Sequence, residues 1–309
     1  MHARRARTSD SRRPMAKRGF RILVGTDGSS RAREAVRAAV GFPWPAASHA
    51  DGVVARGLPP ASVEPMPPSV WEAVDDAVRR EARRAEATLR RRWPTAEVAV
   101  VDRAPVDAIV SEARRRGARA IVAGSRGHGL WSRLVLGSVS RGVVRRAKGA
   151  VLVVKARLDR PRRLLVGLDA SAHARRTARL LASLAPSSGT RLRLVTVLES
   201  VRPASLALLP AAMRALVAGQ AETLDTRAAR AARRRLDAVA SRLTRAGFTV
   251  EVEVRRGVPL DELIAGVAAF RADVVVVGAR GVGGVERLLL GSVAEGVLAR
   301  SPVTVLVVR

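Results

Sequence analysis

Cysteine is absent from this 309-residue chain, which excludes disulfides, thiol nucleophiles and cysteine-ligated metal sites. Tyrosine is absent too and aromatic residues make up only 3%, so the stacking platforms that single-strand nucleic-acid readers use are not visible. No run reaches the roughly 18 to 20 apolar residues needed to cross a bilayer; the best candidate, 206–218, is broken by Pro210 and Arg214. The amino terminus carries Arg4, Arg5, Arg7, Arg12 and Arg13 without an apolar segment, so it does not read as a secretory signal. A cytoplasmic protein with no membrane contact is expected. Residues 1–19 read as a disordered basic tail, with Met1 and Met15 both candidate starts. No Gly-x4-Gly-Lys-Ser/Thr occurs, and no Gly-x-Gly-x-x-Gly follows the first strand of either half, which disfavours a vigorous NTPase and a dinucleotide dehydrogenase. His2, His49, His128 and His173 lack metal-ligand spacing, and there is no Gly-x-Ser-x-Gly elbow. Neither a metal site nor a catalytic residue is expected.

Basic charge is abundant. The formal charge is +29, and apart from Lys17, Lys148 and Lys155 every basic residue other than histidine is arginine. Such a field attracts polyanions without specificity. The arginines are scattered, however, and the simpler reading is a bias toward Arg, Ala and Val on solvated helix faces. With 48% hydrophobic residues the chain reads as globular rather than disordered, and its length suits two domains.

A repeat supports that division. Arg21-Ile-Leu-Val-Gly-Thr-Asp27-Gly-Ser matches Arg163-Leu-Leu-Val-Gly-Leu-Asp169-Ala-Ser. Further on, Gly124-Ser-Arg-Gly127 leads after nine residues to Gly137-Ser138, and Gly278-Ala-Arg-Gly281 leads after the same gap to Gly291-Ser292. The offset grows from 142 to 154 between these landmarks, so the second half has gained about twelve residues. One domain copied once fits this period; a solenoid does not. The expected division is a tail at 1–19, a first domain at 20–155, a linker at 156–162 and a second domain at 163–309.

Within each half, short apolar runs alternate with amphipathic patterns. The first half reads as strand 21–26, helix 30–40, a weak strand 52–55, a Pro-rich loop and a long helix 69–92 with a buried stripe of Val70, Val74, Val78, Ala82, Ala85 and Leu89. Strand 97–101, helix 105–115, strand 119–123, helix 138–147 and strand 150–154 complete it. The second half repeats this order with a long loop to about 221, whose apolar residues Leu206, Leu208, Leu209, Met213 and Leu216 could form a short covering helix and read as packing filler rather than a lid over a pocket, and then a helix over 222–246. Alternating strands and helices predict an α/β fold: two tandem open parallel sheets of five strands with helices on both faces and right-handed crossovers.

The chemistry concentrates at the repeated glycine stretch. Each copy leaves a buried apolar run, Ala120-Ile-Val-Ala123 or Val274-Val-Val-Val277, and precedes a helical pattern (Val139, Val143, Val144; Val293, Val297, Leu298). Glycine allows a sharp turn and close backbone approach. The Gly-Ser pair reads as a helix N-cap, whose N–H groups and dipole favour an anion. Arg126 and Arg280 add guanidinium donors suited to phosphate oxygens. The stretch reads as a phosphate cradle; the alternative is a strand-to-helix turn whose glycines serve geometry alone. In an open α/β sheet the ligand lies beyond the carboxyl ends of the strands, where the order reverses. Asp27 and Asp169, at the end of the first strand of each half, would share that crevice, or act as turn and cap residues, or both. Ser138 and Ser292 read as caps rather than nucleophiles.

At these residues the chain resembles the universal stress protein family in its tandem form, over about 21–155 and 163–309. The spacing Gly-x2-Gly-x9-Gly-Ser/Thr marks the ATP-binding branch of that family. The resemblance implies strand order 3-2-1-4-5 and ATP as cofactor, alone or with Mg or Mn held through its phosphates. It places Asp27 and Asp169 near the adenosine. Gly124, Arg126, Gly127, Gly137, Ser138 and Val139 would hold ribose and phosphates in the first site, and Gly278, Arg280, Gly281, Gly291, Ser292 and Val293 in the second. Val197 is the implied adenine contact. In the first half Gly52-Val-Val-Ala-Arg56 is short and flanked by prolines, so adenine binding is expected first of the second site. In relatives the last strand pairs two domains; here 150–154 and 302–308 would be exposed apolar edges unless the halves form an intrachain pseudo-dimer or two chains form a homodimer.

The leading expectation is an ATP-binding protein of stress response or signalling, in which nucleotide biases conformation or partner docking and hydrolysis is at most weak. Two alternatives stand beside it: a slow ATPase or phosphotransferase using Asp27 and Asp169, and a polyanion-binding module using the arginine field, with the tail 1–19 as an anchor.

Overall fold

The computed structural model describes residues 19–57, 67–125, 136–199, 211–281 and 290–309. In the first half the elements are β1 (Phe20–Thr26), α1 (Ser30–Gly41), β2 (Ser48–Ala55), α2 (Pro68–Arg90), β3 (Val98–Val101), α3 (Pro105–Arg116), β4 (Ala120–Gly124), α4 (Ser138–Arg146) and β5 (Ala150–Val154). The second half has β6 (Arg163–Gly167), α5 (Ala172–Ser183), β7 (Arg191–Leu198), α6 (Ala211–Arg245), β8 (Thr249–Arg256), α7 (Pro259–Phe270), β9 (Val274–Gly278), α8 (Ser292–Arg300) and β10 (Thr304–Val308).

Each half is a parallel sheet in the order 3-2-1-4-5, and the two are joined into one ten-stranded sheet, β3-β2-β1-β4-β5-β10-β9-β6-β7-β8. Successive strand residues point to opposite faces, and both faces are covered. Ile22, Val24, Leu164 and Val166 pack toward α1, α2, α5 and α6, while Leu23, Val153, Leu165 and Val277 pack toward α3, α4, α7 and α8. That double burial is why the strands read as continuous apolar runs instead of alternating ones.

The junction is antiparallel, pairing Val305 with Val153, Leu306 with Leu152 and Val307 with Val151. The two apolar edges therefore cover each other within one chain, as the pseudo-dimer expectation has it. The seam is finished at its ends by reciprocal capping. Lys155 Nζ donates to the Ser301 carbonyl at the end of α8 at 2.7 Å, and the Arg309 guanidinium donates to the Arg145 carbonyl in the last turn of α4 at 2.6 Å. Each half's final cation thus meets the negative end of a helix dipole in the other half.

Three expectations need correction. β2 is neither weak nor short: it spans eight residues and pairs with β1 along seven positions. Its polar start hid it, because Asp51 is buried and paired with Arg116 of α3 at 2.6 Å. The stripe of α2 is buried only at its C-terminal end, at Ala82, Ala85 and Leu89, whereas Val70 is exposed and Val74 and Val78 are half-buried. A 23-residue helix is about 34 Å long, far longer than the ~13 Å of the four-residue strand β3 beneath it, so its first turns run past the sheet. Finally, the stretch expected to be loop up to 221 is helical from Ala211. Met213 on it is exposed, not packing filler; 200–210 lie outside the described residues.

Candidate functional site

The strand order reverses between β1 and β4 and again between β6 and β9. At the second of these points the chain leaves β6 at Asp169, whose Oδ1 accepts the Ser171 N–H at 2.9 Å; the Ser171 hydroxyl then accepts the Ala174 N–H at 3.2 Å and caps α5. The first half repeats this, with Asp27 accepting from Ser29 at 3.0 Å and Ser29 capping α1 through Ala32 at 3.2 Å. Asp27 and Asp169 are thus turn residues. Asp169 has a second neighbour: its Oδ2 stands 3.0 Å from where a Cβ on Gly281 would lie, so strand acid and glycine loop do meet.

Each glycine loop is pinched at its base. Gly291 N–H donates to the Ala279 carbonyl at 2.9 Å and Ala279 N–H to that of Val308 at 2.7 Å; in the first half Gly137 donates to Ser125 at 2.9 Å and Ser125 to Val154 at 2.8 Å. Both loops are therefore anchored to the seam strands. Gly124 has a packing reason for being glycine, since a Cβ there would come 2.8 Å from the Arg31 backbone. The loops then enter α4 and α8 at Gly137 and Gly291, which are the N-caps and lack any side-chain capping bond. Ser138 and Ser292 are the first helical residues, not caps as the sequence suggested. The first-turn amides of these two helices are left without a capping side chain, in contrast to α1 and α5.

All eight candidate residues of the second half, Asp169, Val197, Gly278, Arg280, Gly281, Gly291, Ser292 and Val293, line one cavity of about 830 Å³, within the usual size range of small-molecule sites. Sequence reasoning missed its other walls. Leu168, Val195, Leu198, Leu263 and Leu290 add apolar lining, and Pro259 and Glu199 stand at α7 and after β7. These residues carry no motif; only Leu168, Leu198 and Glu199 could have been indicated, by their positions at the ends of β6 and β7.

In the first half Gly124, Gly137, Ser138 and Val139 occupy the matching places on β4 and α4, and Asp27 ends β1 exposed. Arg126 and Gly127 lie outside the described residues, as do His128 and its counterpart Val282. Where the second half has Leu168, Val197 and Leu198, the first has Thr26, Ala55 and Arg56. Thr26 donates to the buried Glu81 at 3.0 Å, and Arg56 is clamped by Asp102 at 2.6 Å and by Asp75. The first half differs by polar residues at these places, not by a deficient strand.

At the glycine-loop end of the second cavity arginines gather. Burial, then the like charges of Arg176 and Arg280, lower the His173 imidazole below its ordinary value of 6.5, against an opposing pull from Asp169. Burial and Arg280 also lower the Arg309 guanidinium, whose Nε is buried with no hydrogen-bond partner among the described residues. The unfolded chain binds the His173 proton more readily than the folded one, so His173 subtracts stability as pH falls below about 6.5. His173→Gln should flatten part of the drop in the urea midpoint between about pH 7.5 and 5; an unchanged profile would refute this assignment. Among the described residues no three of His, Asp and Glu gather as metal ligands, and no helix is long and apolar enough to cross a membrane.

The model of the universal stress protein family matches residues 20–155 and again 161–309. The chain belongs to the universal stress protein family. A universal stress protein of Mycobacterium tuberculosis is 29% identical over 312 aligned positions, covering 92% of this chain and 95% of that protein. One of Thermus aquaticus is 33% identical over 150 positions, 47% of this chain and 97% of its own length. A 63-residue stretch is 41% identical to a universal stress protein of Methanocaldococcus jannaschii and covers 37% of that protein. Among solved structures, a universal stress protein of Archaeoglobus fulgidus superposes with a TM-score of 0.61 at 21% identity, covering 94% of this chain and 96% of that one. This likeness shows the fold, and the two matches of the family model show two family domains in tandem.

Proposed function

We propose that this universal stress protein binds ATP in the crevice of its second half, and that nucleotide occupancy biases its conformation or its docking to a partner in a cytoplasmic stress or signalling response. One observation carries the reading. An uncapped helix N-terminus, an arginine and three glycines line one cavity together with apolar side chains. The α8 amides and Arg280 suit phosphate oxygens; Val195, Val197 and Leu198 suit the face of an adenine ring. A bound anion also relieves the mutual repulsion of Arg280 and Arg309. Any Mg or Mn would be held through the phosphates, with Asp169 and Glu199 as the carboxylates lining the cavity.

Weak turnover at most is part of this proposal, because the sequence carries no P-loop lysine and phosphoryl transfer needs a group positioned on the nucleophile. The experiment is a mass spectrum of ligand released from the purified, denatured protein, joined to a thermal shift with added ATP. At 100 times its Kd a ligand adds about 2.7 kcal/mol. Protein that carries no nucleotide and shows no ATP-dependent shift would end the proposal.

A further inference from the structure

Helix α6 carries Arg227, Arg230, Arg233, Arg234 and Arg235 within three turns. Where it crosses β8, the edge strand of the sheet, a groove of about 520 Å³ opens, lined by Arg230, Arg233, Arg234 and Arg256 over the short aliphatic side chains of Ala229 and Val254. Val254 packs with the core under α5 and α6, so the groove lies on the sheet face opposite α7 and α8. Two of the four guanidiniums have carboxylate partners: Arg233 with Asp237 at 3.0 Å and Arg256 with Asp225 at 3.0 Å. Arg230 and Arg234 form no ion pair among the described residues. They are exposed and one helical turn apart, where like charges repel, a repulsion that an anion lying across both removes.

We propose that this groove binds the phosphodiester backbone of duplex nucleic acid without reading its sequence. Convergent guanidiniums supply phosphate donors. The lining offers no aromatic ring on which an unpaired base could stack and the chain has no tyrosine, which favours a duplex, with its bases turned inward, over a single strand. The occupant differs from that of the crevice, so this inference does not depend on ATP binding.

The test is fluorescence anisotropy of a short labelled duplex with the full chain between about 50 and 200 mM salt. Binding should weaken linearly in a log–log plot. The double variant R230Q/R234Q should reduce the slope by roughly 2, about one for each phosphate that is no longer neutralised, while retaining the parent's ATP-dependent thermal shift. R79Q/R83Q removes the same charge from exposed positions of α2 and should leave the slope near that of the parent. An unchanged slope in R230Q/R234Q, an equal loss in both variants (a diffuse arginine field), or tighter binding of a single strand of the same length would each overturn the proposal.

Discussion

Gly291→Asp is expected to abolish the ATP-dependent thermal shift while leaving the unliganded protein as stable as the parent. Gly291 sits at φ −69° and ψ 151°, an extended conformation open to any residue, so the backbone does not demand glycine there. Aspartate is among the preferred N-cap residues, and exchanging it with glycine at a cap changes stability by only a few tenths of a kcal/mol. A Cβ would meet the Arg280 Cα at 3.3 Å, so parent-like stability requires the Arg280 backbone to give by a few tenths of an ångström. The new carboxylate would accept from the α8 amides and place negative charge where the phosphates are proposed to bind. Affinity should therefore fall without a stability penalty, the reverse of what a damaged fold gives. Differential scanning fluorimetry with and without ATP makes the comparison: a shift of about 2.7 kcal/mol at 100 times Kd in the parent against none in the variant. A retained shift would mean that the nucleotide does not use this helix N-terminus. Gly137→Asp asks the same question of the first half.

Leu306→Ala should cost about 2 to 5 kcal/mol, the range for truncating a fully buried leucine, and the loss should be felt in both halves. Leu306 is fully buried opposite Leu152 across the seam, in the same apolar cluster as Ile22 of β1 and Leu164 of β6. All four tryptophans, Trp44, Trp71, Trp93 and Trp131, belong to the first half, whereas far-UV circular dichroism reports helices of both. The substitution lies in the second half, yet the tryptophan-monitored urea transition should move with the dichroism transition, as one cooperative unit requires. Leu224→Ala, at a 63% exposed site, should stay within about 0.5 kcal/mol of the parent. A tryptophan transition that does not respond to Leu306→Ala would show halves that unfold independently.

Much of this was legible in the residues. The runs at 120–123 and 274–277 declared buried parallel strands because both faces of such a strand are covered. The doubled glycine spacing marked the two strand-to-helix loops at the switch points, where Gly124 meets the Arg31 backbone too closely for a Cβ. The body and end of α6 match the expected helix, and only its start differs, at Ala211 instead of 222: Pro210 just ahead is a recognised start signal, but two prolines in an apolar stretch favour a loop. The N-terminal half of α2 reads as a buried stripe because the periodicity of a helix says which face is apolar, not how far the sheet beneath it extends.

The sequence by itself determined the two α/β halves and the glycine-loop and strand-end residues that gather at the second switch point, because these follow from periodicity, glycine geometry and the repeat; the strand order and the place of Val197 came with the family resemblance. Only the tertiary structure decided that β5 and β10 pair within one chain, and that Thr26 and Arg56, which stand where the second half has Leu168 and Leu198, are tied to Glu81, Asp102 and Asp75. The physical reason is the same in both cases. Val151-Leu-Val-Val154 and Val305-Leu-Val-Val308 are equally apolar edges whatever covers them, and the partners of Thr26 and Arg56 lie far away in the chain, so neither fact is written in any local pattern.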